Sequence, residues 1–389
     1  MSAIAAKPQA TLLNFEDYRS AARRALPRFV FDFIDGAAER ELSKTSNERD
    51  LDAISLLPRY LRDVSRVDTS QTLFGQRWPM PFAVAPMGFN GLLRPGADLD
   101  IARAAASCEV PFIQSTASNM RLEDIAQGAK GVRWLQLYLM GGRAIAEHML
   151  RRAQAQGFGA LILTVDVAVG GDRERDTRNG MRMPFRLTPK TAIDILTHPR
   201  WALRFAGKGQ PDFANLKAQD EAPASAELAA ALGNREMDRS VDWDIIAWLR
   251  ERWDKPILLK GVLHPADAAL AVAAGVDGLI VSNHGGRQLD VAPSTIAALP
   301  SVLRAVDGAI PVLIDGGFRS GSDVARALAL GARAVLIGRP LLWGVAVGGE
   351  EGAARVLHMI ASGLLRTMTL LGAASLNDLL ETHPGTAHV

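Results

Sequence analysis

With 389 residues, 48 % of them hydrophobic and 22 % charged, the chain has the composition of a globular protein able to bury one large core or two ordinary ones. Its 44 basic and 42 acidic residues leave a net charge of +2, so no global field points to a nucleic-acid partner, and the single cysteine, Cys108, cannot form an internal disulfide. The opening MSAIAAKPQATLLNF lacks a long apolar run and no stretch reaches the ~18 apolar residues of a spanning helix, so the expected setting is a reducing cytoplasm.

Residues 1–80 read as an N-terminal helical extension. Eight short aliphatic runs then follow: PFAVAP (81–86), PFIQST (111–116), RWLQLY (133–138), ALILTVD (160–166), PILLKG (256–261), GLIVSN (278–283), PVLIDG (311–316) and AVLIGR (334–339). Most are separated by amphipathic, alanine-rich stretches such as DLDIARAAASCE and SDVARALALGA, the alternation of strand and helix. Continuous apolar strands of this kind belong in a parallel sheet covered by helices. Eight such units predict an α/β fold, a (β/α)8 TIM barrel forming a single domain over 1–389. The fourth and fifth runs start at 160 and 256, far further apart than the others, which places an insertion at 180–240. A doubly wound open sheet is the competing architecture, weakened because no G-x-G-x-x-G follows an early strand.

In a barrel the strand ends share one rim, where such folds carry their sites. Here they supply Pro86, Met87 and Gly88; Ser115 and Thr116; Gln136 and Tyr138; Thr164 and Asp166; Lys260; Ser282, Asn283 and His284; Asp315 and Gly316; Gly338 and Arg339. Each alone could be a turn residue or a helix cap, but as a set they suit a large polar ligand. DGGFRSGSD and IGRP set glycines beside Arg319 and Arg339 at the last two strands, a pattern for a phosphorylated cofactor or substrate; glycine-rich turns with surface arginines are the other reading. His284 is the one histidine among these ends and the natural proton carrier, with Asp166 as its carboxylate partner. Arg287, Arg173 in GGDRERD and the phenol of Tyr138 complete a pocket for an anionic substrate that loses a proton. No His, Cys, Asp or Glu cluster has metal-ligand spacing.

At SNHGGRQLD, DGGFRSGSDV, LQLY, LTVD and LPRFVFDFIDGAAE, in this order and spacing, the chain resembles the FMN-dependent 2-hydroxy-acid oxidases and dehydrogenases over nearly its whole length. The resemblance implies FMN over the rim, contacting Pro86, Met87 and Gly88, with Lys260 at the electron-rich end of the ring. Gln136, Thr164, Ser115 and Ser282 would hydrogen-bond the ring or ribityl chain, and Asp315, Gly317, Arg319, Gly338 and Arg339 would hold the phosphate. It further implies His284 as the base, Asp166 stabilising its protonated form, and Arg287, Arg173 and Tyr138 on the substrate. The reaction implied is oxidation of an (S)-2-hydroxy acid, mandelate-like in being aromatic or bulky, with electrons passed to a quinone-type acceptor. An oxygen-using oxidase making hydrogen peroxide and a non-catalytic flavin-binding protein are the alternatives. A homotetramer is implied as well.

The chain departs from the family pattern at Phe33, where a tyrosine usually reaches the substrate carboxylate; losing that hydrogen bond to a charged group costs on the order of 1.5–3 kcal/mol. Tyr18 and Tyr60 are candidates to compensate, although neither matches the motif position. Gly88 matches the dehydrogenase side of the family, where oxidases have alanine.

Within the insertion, residues 182–217 carry Arg182, Arg186, Lys190, Arg200, Arg204, Lys208 and Lys217 against only Asp194 and Asp212. Ile193, Ile195, Leu196, Trp201, Leu203 and Phe205 interleave with these charges, as on a membrane-surface segment or on a lid helix with a solvated basic face. Pro199 divides the segment into two short helices. The resemblance favours peripheral binding at the cytoplasmic face of the inner membrane.

Overall fold

The computed structural model describes residues 12–181, 188–207, 211–216, 238–382 and 384–385. All eight predicted runs form strands: β1 (Phe82–Val84), β2 (Phe112–Ser115), β3 (Arg133–Leu137), β4 (Leu161–Thr164), β5 (Ile257–Val262), β6 (Gly278–Val281), β7 (Val312–Ile314) and β8 (Ala334–Ile337). They pair in parallel and in sequence order, and β8 returns to β1 through Leu336 opposite Ala83, which closes the barrel. The doubly wound alternative is thereby excluded.

Closure explains why the strands are apolar without alternation. Ala83, Ile113, Trp134, Ile162, Leu258, Ile280, Leu313 and Leu336, one from each strand, pack together inside the barrel. Their neighbours, such as Val84, Phe112, Leu135 and Leu259, join the outer core beneath the helices. Both faces are removed from water, so both are hydrophobic.

The N-terminal extension is helical in α1 (Phe15–Ala25), α2 (Arg28–Asp35) and α3 (Leu42–Asp52), but it ends in an antiparallel hairpin, Gln71–Leu73 with Gln76–Trp78. This corrects the wholly helical reading of 1–80. Trp78 and Phe74 set their rings 5.2 and 5.5 Å from that of Trp134, so the hairpin supplies aromatic cover to the barrel interior. A local hydropathy pattern has no means of marking that plug.

The insertion leaves after β4 and contains two short helices, Pro189–Leu196 and Pro199–Phe205, as the placement of Pro199 predicts. Trp201 is buried and donates from Nε1 to the Leu92 carbonyl (2.9 Å). Asn215 accepts from the Leu122 amide (2.9 Å), which ties the returning strand of chain to the barrel. Ile193, Leu196 and Leu203 are 64, 77 and 75 % exposed, so one side of the segment packs and another is apolar and open. Among the basic residues of this stretch, Arg182, Arg186, Lys208 and Lys217 lie outside the described residues. Among the described residues no helix is long and apolar enough to cross a membrane.

Candidate active site

Beyond β6 the backbone takes three left-handed residues in succession: His284 (φ 58°), Gly285 (φ 64°) and Gly286 (φ 77°). Glycine enters this region freely, whereas a residue with a β-carbon needs outside constraint. The constraint is visible: the His284 amide donates to Ser282 Oγ (3.1 Å) and the Gly286 amide to Asn283 Oδ1 (3.2 Å). A β-carbon on Gly286 would lie 2.6 Å from the Lys44 nitrogen, so α3 packs directly against the turn.

This turn brings His284 between two partners from neighbouring strands. Its Nδ1 lies 2.8 Å from Asp166 Oδ1 and its Nε2 3.2 Å from the Tyr138 hydroxyl. Gly261 makes room for the carboxylate, because a β-carbon there would meet Asp166 Cβ at 2.7 Å. Burial lowers the His284 pKa below its usual value, and the Asp166 charge opposes this without cancelling it. For Asp166, burial would raise the pKa, yet the His284 and Lys260 charges outweigh it and hold the carboxyl below the usual range. Burial and the Asp166 charge raise the Tyr138 pKa, so the phenol keeps its proton. At neutral pH the cluster is therefore a neutral imidazole between a carboxylate and a hydroxyl donor. The charge of Arg173 acts on both Tyr138 and His284.

A cleft beside the cluster is lined by Pro86, Met87, Gly88, Lys260, Asp315, Gly316, Gly317, Gly338 and, on its apolar side, Phe33. Lys260 donates to Ser282 Oγ (2.8 Å) and pairs with Asp315 Oδ2 (3.1 Å). Burial would lower the Lys260 pKa, but Asp315 and Asp166 raise it on balance, so a cation is retained here. Asp315 Oδ1 is buried with no hydrogen-bond partner among the described residues, an acceptor suited to a ligand hydroxyl and not to the phosphate that the resemblance implied for it, which a carboxylate would repel. Gly316 and Gly317 have φ of 98 and 86° and lead towards a helix, Gly321–Ala329, capped by Ser320. A retained cation, an unpaired buried carboxylate oxygen and a glycine turn before a helix match the ring, ribityl and phosphate portions of FMN in turn, so the residues present fit that cofactor.

Not every predicted residue lines the cleft. Ser115, Gln136 and Thr164 are buried at adjacent strand ends and joined to one another, Ser115 Oγ to Gln136 Oε1 and Gln136 Nε2 to Thr164 Oγ1, each at 3.0 Å. Arg287, Arg319 and Arg339 do line the cleft, with their guanidinium groups bonded to the protein. Arg319 donates to Asp52 (2.7 Å). Arg339 donates to the carbonyls of Ile34, Gly36 and Gly285 (3.1, 2.8 and 2.9 Å). Arg287 donates from Nη1 to those of Phe33 and Gly36 (2.8 and 2.9 Å), with its guanidinium 5.2 Å from the Phe33 ring centre. Thus Arg287 and Arg339 bind the C-terminal end of α2, where carbonyls lack helical partners.

Phe33 continues into an apolar edge, its ring 6.2 Å from Phe89 and that of Phe89 5.0 Å from Phe213 of the insertion. Tyr18 and Tyr60 do not line the cleft: Tyr18 feels the charges of Arg355 and Glu351, and Tyr60 is exposed. Neither replaces the missing phenol. Gly88 is set by close packing, since a β-carbon would lie 2.7 Å from Ala117 Cβ.

Two contacts escape sequence inspection. Asp290 accepts from the Leu42 amide (2.7 Å) and the Arg40 amide (3.2 Å), capping α3 from the loop beyond His284. Asn47 pairs with Asn283 across 236 residues of sequence. Asn283 and Asp290 had a signal, their place in the SNHGGRQLD motif, and Asn47 had none.

A family model described as FMN-dependent dehydrogenase matches residues 22–384. The chain is 43 % identical to (S)-mandelate dehydrogenase of Pseudomonas putida, over 95 % of this chain and 92 % of that protein. It is 40 % identical to L-lactate dehydrogenase of Pseudomonas aeruginosa, over 93 and 95 % respectively. Among solved structures, that of the monotopic membrane protein (S)-mandelate dehydrogenase superposes with a TM-score of 0.90 at 42 % identity, covering 95 % of this chain and 98 % of the other.

Proposed function

Because the chain belongs to the FMN-dependent dehydrogenase family, we propose that it oxidises an (S)-2-hydroxy acid with an aromatic or bulky side chain to the 2-oxo acid. The observation that carries this reading is the Asp166–His284–Tyr138 cluster on the rim beside the Lys260–Asp315 cleft. When bound, FMN supplies the two-electron acceptor. Lys260, Asp315, Gly317, Gly338 and the buried strand-end set would hold it, with Pro86, Met87 and Gly88 against the ring. His284 Nε2, neutral at pH 7, takes one proton from the CH–OH group while the other hydrogen leaves with the electron pair, and Asp166 stabilises the imidazolium that results. Tyr138 donates its hydroxyl proton in a hydrogen bond to the substrate oxygen. Arg287 and Arg173 hold the carboxylate, and the Phe33–Phe89 edge suits an apolar side chain.

The test is anaerobic bleaching of the purified yellow protein by mandelate, lactate, glycolate and a longer 2-hydroxy acid, with separate enantiomers of each chiral acid. Rapid bleaching by the (S) form of an aromatic acid is expected, with little peroxide formed in air. If none of these acids bleaches protein that still holds FMN, the reading is wrong. Substantial peroxide would favour the oxidase alternative.

The acceptor and the membrane contact follow the same reading. A relative is described as monotopic, and the exposed Ile193, Leu196 and Leu203 give this chain an apolar surface suited to the interface, from which a membrane quinone is the natural oxidant. Deleting the whole segment would also remove Trp201 and Asn215, which pack on the barrel. Replacing Ile193, Leu196 and Leu203 together with serine is expected to move the enzyme from the membrane fraction to the soluble one, with its dye-linked rate unchanged. Undiminished membrane partition would reject the contact.

A further inference from the structure

Asn47, buried in α3, forms a reciprocal amide pair with Asn283: Asn47 Nδ2 donates to Asn283 Oδ1, and Asn283 Nδ2 donates to Asn47 Oδ1, both at 2.9 Å. Each amide has further partners. Asn47 Oδ1 accepts from the Thr295 amide (3.1 Å), Asn283 Nδ2 donates to the Pro293 carbonyl (3.1 Å), and Asn283 Oδ1 accepts from the Gly286 amide (3.2 Å). Asn47 and the Pro293 carbonyl together fix the orientation of Asn283, and its Oδ1 adds a side-chain acceptor to the backbone Asn283 carbonyl (3.0 Å) that the Gly286 amide also meets in the left-handed turn carrying His284.

The helix that carries Asn47 is itself immobilised. Asp290 caps its start, and a β-carbon on Gly317 would lie 2.9 Å from the Asn47 carbonyl carbon and oxygen. The same backbone therefore abuts the base turn and the glycine turn of the cofactor cleft.

We propose that Asn47 is a positioning residue for the base: through Asn283 it holds residues 284–286 left-handed and so keeps His284 between Asp166 and Tyr138. The proposal rests on the reading of His284 as base. Asparagine is required because position 47 must donate to one atom of the partner amide and accept from the other. Aspartate has no donor. It either sets an oxygen against Asn283 Oδ1 and pushes that amide away from the Gly286 N–H, or makes the amide turn over, presenting Nδ2 to the Gly286 N–H and giving up the Pro293 carbonyl; in both cases the turn is left with the Asn283 backbone carbonyl as its remaining acceptor.

The test uses FMN-loaded Asn47→Asp, Asn47→Ala, Asn283→Ala and the double alanine variant, so that failure of one to fold leaves the others. Asn47→Asp is expected to retain FMN and to slow anaerobic flavin reduction at saturating substrate by roughly 10- to 100-fold, the loss typical of a misplaced catalytic group. The double alanine variant should be no slower than the slower single, because both substitutions remove one interaction. In a crystal structure of the Asn47→Asp holoenzyme, His284 should leave φ 58° or lose its contact with Asp166. A reduction rate within about twofold of the parent, losses that multiply, or an unmoved His284 would overturn the proposal. A parental rate in His284→Ala would instead overturn the base reading, and the crystal structure would still judge the clamp.

Discussion

His284→Ala is expected to purify with its full complement of FMN and to lose roughly 10²- to 10⁴-fold in the rate of anaerobic flavin reduction, the usual contribution of a positioned general base. The retained cofactor is part of the prediction, because the groups fitted to it are Lys260, Asp315 and the glycine turn, while the imidazole, although it also lines the cleft, spends its two nitrogens on Asp166 and Tyr138. The base must be neutral to act. Burial lowers the His284 pKa below 6.5, so the parent enzyme should keep its rate as pH falls to that value and lose it only below, as the ring protonates. Stopped-flow flavin bleaching between pH 4.5 and 8 reads both effects. A residual rate near that of the parent would remove His284 from the chemistry, and an acid limb centred above pH 6.5 would mean that the carboxylate outweighs burial.

Asp166→Asn is expected to slow the same step by at least roughly 100-fold while moving the acid limb to lower pH. The two effects have one cause. Asp166 is the main influence raising the His284 pKa against burial, so its removal leaves the imidazole easier to deprotonate and a weaker base. The imidazolium formed as the proton is taken also loses its counter-charge. The asparagine can still bond to Nδ1, but if it accepts as the carboxylate did, its amide nitrogen brings donors to a site that Gly261 keeps closely packed. An acid limb that moves upward, or a rate that hardly changes, would rule out this role for Asp166. Loss of FMN in this variant would instead point to a structural role through Lys260, whose charge is coupled to the same carboxylate.

Much of this molecule is legible in local patterns. The eight runs are apolar on both faces because one face meets the barrel interior and the other the helices, so a short window suffices to find each strand. A strand end in a closed barrel is also a rim position, so His284, Asp166 and Tyr138 could be grouped while lying far apart in the chain. The two helices of the insertion follow from Pro199, which carries its own backbone constraint.

Direction and pairing were less accessible. Arg287 and Arg339 sit where the motifs place them, yet their guanidinium groups bond carbonyls at the end of α2, a feature that no strand pattern encodes. The aromatic hairpin under the barrel, the Phe89–Phe213 edge and the capping of α3 by Asp290 each join segments remote in sequence. Burial periodicity and backbone preference act within a few residues, and they sufficed for the strands, the rim and the place of the base. Which amide faces Asn283, and hence what holds His284 in its left-handed turn, depends on chain closure bringing α3 across 236 residues to the rim, and only the folded arrangement decides that.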